Sequence, residues 1–271
     1  MKRMALGASV LALAIALTGC GAKTISGTPS GGTFDNAQEL VRAAASKTEQ
    51  AKSSKFTFET QIAGQKMTGQ GMGRYDGAAT AMQMSMDVGP MHEEIVYTDG
   101  MMYIQLPEEM RALMTGGKPW GKLDPNSDVA KAMGSSVNAE QNDPSKYLEQ
   151  IQEAGTITKS EQTTLNGEPA THYWIDLDFA KALDKLAESG YPREMLDVLK
   201  GKSGTIPMEL WLNADQLPMK ITENLGAMMK AVGAPAELSD MVMTMTYTDW
   251  GAPVTVTAPS ADQVGELKLG G

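Results

Sequence analysis

Residues 55–106 read KFTFETQIAGQKMTGQGMGRYDGAATAMQMSMDVGPMHEEIVYTDGMMYIQL, and a period of two runs through them. Phe56, Phe58, Thr60 and Ile62 alternate with polar residues, and Ala63-Gly64-Gln65 turns the chain. Lys66 to Tyr75 forms a Gly-rich strand, and Asp76-Gly77 turns again. Met82, Met84, Met86 and Val88 then share one face of the next strand. Gly89-Pro90 breaks it, Glu93 to Thr98 resumes, Asp99-Gly100 turns, and Met101 to Leu106 completes a five-strand antiparallel meander. Alternation places every second side chain on one face, and Gly/Asp/Asn pairs supply the positive φ angles of tight hairpins.

Downstream, the same patterns return. Pro107 to Met114 reads as a short helix, Trp120 to Leu123 as a strand, and Asn126 to Val137 as helix or loop. Asp143-Pro144 opens a helix running to about Ala154, with the acid as cap and the proline in the first turn. Thr156 to Leu165 and Ala170 to Leu177 are strands joined by Asn166-Gly167. Asp178 caps a helix to about Ser189, and Pro192 opens another toward Lys200. Ile206 to Leu212, Leu217 to Ile221, Met241 to Trp250 and Val254 to Thr257 complete the strands, with a loop or helix over 226–238. Upstream, Leu40, Val41, Ala44 and Ala45 mark a helix over about 35–53, capped by Asp35 or Asn36. The predicted fold is α+β, one domain over 34–260 dominated by a single antiparallel sheet, with a loose tail at 261–271.

The chain begins with Lys2 and Arg3, then an uncharged apolar run from Ala5 to Leu17, too short to span a hydrocarbon core. It closes on Leu17-Thr18-Gly19-Cys20, which holds the one cysteine. This resembles the bacterial lipoprotein signal, or lipobox. The resemblance implies cleavage after Gly19 and a diacylglycerol and acyl (palmitate-like) modification on Cys20, so that residues 1–19 are a signal peptide. Two acyl chains hold a protein at a membrane where one gives marginal binding. Residues 20–33, rich in Gly, Ser, Thr and Pro, read as a flexible tether. The expected location is the extracytoplasmic face of the cell membrane.

The chain of 271 residues carries Lys+Arg 23 and Asp+Glu 33. Loss of Lys2 and Arg3, with no acid, takes the formal net charge from −10 to −12. Such a chain repels nucleic-acid phosphates and anionic headgroups alike, so no nucleic-acid partner is expected.

Catalytic patterns are missing from the sequence. His92 and His172 are its two histidines, and no Gly-x-Ser-x-Gly elbow or His-Glu-x-x-His helix occurs. Gly116 to Lys122 has the spacing of a phosphate loop, but Leu123 stands where Ser or Thr must hold magnesium. The carboxylates fall on turns and helix starts, where solvated caps are the ordinary role. No enzyme, cofactor or metal site is expected. The unusual feature is methionine, at 21 residues against 4 Phe. Met82/Met84/Met86, Met241/Met243/Met245, Met208 and Met219 read as core packing or as a pliable cavity lining. A copper(I) thioether site is the third reading, and it needs two strands, because neighbours on one strand stand ~7 Å apart.

The lipobox at Cys20, the helix before Phe56, the strand with Gly69-Gln70-Gly71, the turn Tyr97 to Gly100, the hairpin Leu212 to Pro218 and Tyr247 to Gly251 carry a further likeness. Together they resemble actinobacterial envelope lipoproteins of the LppX/LprG type, and through them the LolA/LolB carriers. The resemblance implies a half-barrel, a strongly curved antiparallel sheet with helices on its concave side. It also implies an apolar cavity between them that binds and moves lipids or glycolipids without chemistry. The expected lining is Met82, Met84, Met86, Met208, Leu210, Met219, Ile221, Met241, Met243 and Met245. The alternative is an interaction or sensor module with a solid core and an envelope protein as partner.

Overall fold

The computed structural model describes residues 33–268 except 63, 90, 125–126, 128–143, 189–196, 199, 201, 203 and 232. The signal, Cys20 and the tether to residue 32, the segment 126–137 apart from Ser127, and most of the expected helix over 192–200 lie outside the described residues.

Alternation wins where the sequence alternates. β1 (Ser53–Ile62), β2 (Gln65–Arg74), β3 (Ala81–Val88), β4 (Met91–Thr98), β5 (Met101–Gln105) and β6 (Trp120–Leu123) follow one another along the chain. After them come β7 (Gly155–Leu165), β8 (Glu168–Asp178), β9 (Thr205–Asn213), β10 (Pro218–Asn224), β11 (Val242–Thr248) and β12 (Val264–Glu266). All twelve join one open, curved sheet in the order β12-β6-β5-β4-β3-β2-β1-β11-β10-β9-β8-β7. Every neighbouring pair is antiparallel except β12 on β6. Asp99-Gly100 and Asn166-Gly167 take positive φ at both positions (54° and 71°, 54° and 85°), as the two-residue hairpins require.

The described helices include α1 (Ala37–Ala51), α2 (Glu108–Met114), α3 (Pro144–Ala154), α4 (Phe179–Glu188) and α5 (Gly226–Ala231). Asn36 caps α1, its Oδ1 accepting from the Glu39 amide at 2.8 Å. The helix stops at Lys52, in the left-handed region at φ 61°, and β1 begins at the next residue. Its stripe Leu40, Val41, Ala44 packs on α3 and shares one core with Tyr147, Leu148 and Ile151 of α3 and with Tyr173, Ile175 and Leu177 of β8. Leu40, Leu148, Ile151 and Leu177 are fully enclosed, and each such aliphatic side chain stabilises the fold by about 1.5–3 kcal/mol. The amide of Phe34 donates to Tyr173 Oη at 3.2 Å, tying the start of the domain to β8.

Two expectations at the C-terminus are corrected. Val254 to Thr257 joins no strand, because β1 and β10 already fill both sides of β11, the strand it follows. The segment read as a loose tail supplies β12 instead: Val264, Gly265 and Glu266 pair in parallel with Trp120, Gly121 and Lys122. Leu267 is buried beside Ile95, Met102, Ile104, Leu106 and Leu123 in a second, smaller core. An apolar Leu267 one residue past the strand anchors it there.

The glycines of β2 have a steric role. The Phe56 ring lies on Gly71 and the Phe58 ring on Gly69, on the helix-facing side. A Cβ on Gly71 would meet the Phe56 ring and fall 2.7 Å from the Gln83 carbonyl oxygen. Backbone contact of this kind cannot relax by side-chain rotation. Gly71→Ala is therefore expected to destabilise the fold by about 1–3 kcal/mol, read as a lower urea midpoint. An unchanged midpoint contradicts the packing described.

Candidate ligand face

Register decides which side chains meet. One ladder row runs Tyr173–Leu210–Ile221–Met245–Phe58–Gly69–Met86–Glu93, crossing eight strands from β8 to β4. The next row runs Ile175–Met208–Glu223–Met243–Thr60–Met67. Both rows lie on the face that carries the core, toward the helices. Strand positions two apart share a face, so Met82 and Met84 join them from β3.

Nine of the ten expected lining residues lie on this helix-facing side. Met219 does so at a slip in the β9–β10 register, between Pro218 and Lys220. Met241 is the exception: it precedes β11, and its carbonyl accepts from the Leu225 amide at 2.9 Å. The nine then divide by burial. Met82, Met208, Leu210, Met219, Ile221 and Met245 are packed core. Met84, Met86 and Met243 are half-buried, together with Phe58, Met67 and Tyr97. Met84 and Tyr97 touch both the main core and the smaller one. These half-buried side chains form an apolar stretch of the helix-facing side between two filled clusters. The division follows the helices, since α3 and α4 pack on β7 and β8, α1 on α3, and α5 on β9.

Two carboxyls stand among the thioethers, and they correct the expectation that carboxylates occupy only turns and caps. Glu223 on β10 lies between Met208 and Met243 across the strands, and retains 7% of its surface. Burial alone pushes it up to about 7 from its ordinary 4.5. Glu93 on β4 pairs with Met86, and burial raises it as well. The signal was present in the sequence: Met219, Ile221, Glu223 and Met91, Glu93, Ile95 each set an acid inside an apolar alternation.

The opposite face is polar. Two hollows of about 370 and 410 Å³ open on it, sharing Thr57, Gln70, Ser85 and Thr246. His92 Nδ1 lies 2.7 Å from Asp87 Oδ1 at the rim of the second, both side chains exposed, and no described hydrogen bond joins Ser85 to the pair. Across β7–β10, Lys159, Trp174, His172, Trp211 and Lys220 form a stack, with His172 ring centroids 3.5 Å from Trp174 and 3.9 Å from Trp211. His172 Nε2 sits 2.7 Å from Glu209 Oε2 without the alignment of a hydrogen bond. Desolvation lowers its pKa, outweighing the carboxylate that raises it. The histidine is a buried strand residue packed between Trp174 and Trp211. The stretch with phosphate-loop spacing leads into β6, not a helix.

No family model matches the chain. It is 25% identical over 245 residues to a Streptomyces griseus protein described as an uncharacterized 31.2 kDa protein in the rplA–rplJ intergenic region, covering 82% of this chain and 76% of that one. Among solved structures it is similar to LprF from Mycobacterium bovis (15% identity, 83% of this chain, 97% of that one, TM-score 0.49). It is also similar to MucB (18% identity, 84% of this chain, 61% of that one, TM-score 0.38). MucB is further found in a complex structure of Pseudomonas aeruginosa MucA/MucB (14% identity, 84% and 59%, TM-score 0.37).

The carboxyl of Glu223 makes stability depend on pH. The unfolded chain releases this proton near 4.5 and the folded chain near 7. Between those values the unfolded state binds fewer protons, so stability falls as pH rises, by roughly 3 kcal/mol over the window. Glu223→Gln, neutral throughout, is expected to match the parent near pH 4.5 and to exceed its urea midpoint at pH 8. Equal midpoints at pH 8 contradict the buried carboxyl.

Proposed function

We propose that this protein is a membrane-anchored, extracytoplasmic lipoprotein that binds or carries a lipid or other amphiphile, without catalysis. Cys20 bears the acyl anchor, residues 20–33 are the tether, and the apolar trough between sheet and helices takes the acyl chains. The observation that carries this reading is the half-buried row Phe58, Met84, Met86 and Met243, which the described helices leave incompletely covered. Unbranched thioether side chains adapt to varied apolar shapes, which suits flexible acyl chains. Each CH₂ buried there contributes about 0.8 kcal/mol.

The alternative, an interaction module with a solid core and a protein partner, draws on the sealed half of the domain under α1 and α3, where Leu148 and Ile151 leave no exposed surface. Titration with the uncharged fluorophore N-phenyl-1-naphthylamine separates the two. Saturable binding is expected, weakened about tenfold or more by Met84→Asp or Met243→Asp, since a charge placed in the trough must be desolvated. No saturable binding, or equal binding by all three proteins, favours the module.

The anchor has its own test. Cys20→Ser is expected to move the protein from the membrane fraction to the soluble fraction and to abolish incorporation of labelled palmitate. A variant that stays with the membrane contradicts acylation as the means of attachment.

A further inference from the structure

The trough has a sign of charge. Along the described strand positions that face the helices, the acidic and basic side chains are Glu93 and Glu223, with no Lys, Arg or His among them. Five strand spacings separate β4 from β10, about 24 Å along the sheet, so an acid stands on each flank of the trough. Glu223 is the more telling of the two. More than nine-tenths of it is buried, and among the described residues no hydrogen bond or ion pair reaches its carboxyl. Its ladder neighbours are the thioethers Met208 and Met243, which offer no donor.

An apolar Leu or Met at this position would preserve the alternation of β10 and avoid the penalty of an unpartnered carboxyl. A ligand group that brings both a hydrogen-bond donor and a positive charge removes that penalty. A carboxylate or phosphate head adds to it by like-charge repulsion in a poorly solvated site. Resting on the amphiphile reading above, we infer that the trough selects amphiphiles whose head is a protonated amine over those with an anionic head, and that Glu223 receives the ammonium group. Glu93 holds the opposite flank at the same sign and disfavours anions there as well.

The test uses the full chain at pH 7.5 and displacement of N-phenyl-1-naphthylamine by three twelve-carbon probes: dodecylamine, dodecanoate and dodecyl maltoside. Dodecylamine is expected to bind at least about tenfold more tightly than dodecanoate. Glu223→Gln should reduce that ratio about fivefold or more while changing dodecyl maltoside binding less than about twofold. Glu168→Gln, at an exposed acid that opens β8, should leave the ratio unaltered. A ratio near one, a ratio unaffected by Glu223→Gln, or an equal loss in Glu168→Gln overturns the inference while leaving amphiphile binding intact. Displacement by none of the three overturns the amphiphile reading itself, and the selectivity with it.

Discussion

Register across eight strands is the constraint on which the rest depends. From Tyr173 to Glu93 the ladder runs without a slip, and each partner along it turns its side chain the same way. A one-residue shift of β3 against its neighbours would send Met84 and Met86 to the polar face and bring Gln83 and Ser85 to the helix-facing side. Hairpins with two-residue turns at Asp99-Gly100 and Asn166-Gly167 limit such slips locally. The glycines of β2 allow the Phe56 and Phe58 rings to lie flat on the neighbouring backbone. Where the ladder does break, at Ile157/Lys159 and Pro218/Lys220, the irregularity falls toward the β7 end, under the most thoroughly filled core.

This arrangement gives the helix-facing surface two characters. At the β7–β10 end, α1 and α3 close over aliphatic and aromatic side chains that are almost wholly buried. Toward β1–β4 the same face carries Phe58, Met67, Met84 and Met86 with partial cover, and a separate small core around Ile104 and Leu123 begins beyond. One half is filled, and the other is only partly covered by the described helices. Buried Glu223 sits at the border between the two, where its desolvation opposes stability above neutral pH.

Much of this was legible in the residues, for physical reasons. Strands announced themselves because alternation, Gly/Asn/Asp turns and β-branched or aromatic residues agreed over the whole of 55–106. The helix over 37–51 and the proline start of α3 were equally plain. Parity within each strand also grouped the methionines, since i and i+2 share a face in any register. What alternation does not contain is the pairing partner. Val254 to Thr257 alternates and stays unpaired, while Val264 to Glu266, three residues with a glycine at the centre, finds a free edge on β6. Nor does alternation say which stretch of a face the helices cover, and that separates core Met82 from half-buried Met84. Residue type alone places Glu223 in solvent, as acids usually are, whereas its position in the Met219–Ile221–Glu223 series turns it inward.

The most direct measurement of the central claim is methyl NMR of the protein labelled on its methionine methyl groups, titrated with an uncharged amphiphile such as dodecyl maltoside. The trough account predicts that the signals of Met84, Met86 and Met243 move with saturating amphiphile, while sealed Met208 and the polar-face Met72 and Met101 hold their positions. Shifts confined to Met72 and Met101, or no saturable shift at any methionine, contradict it.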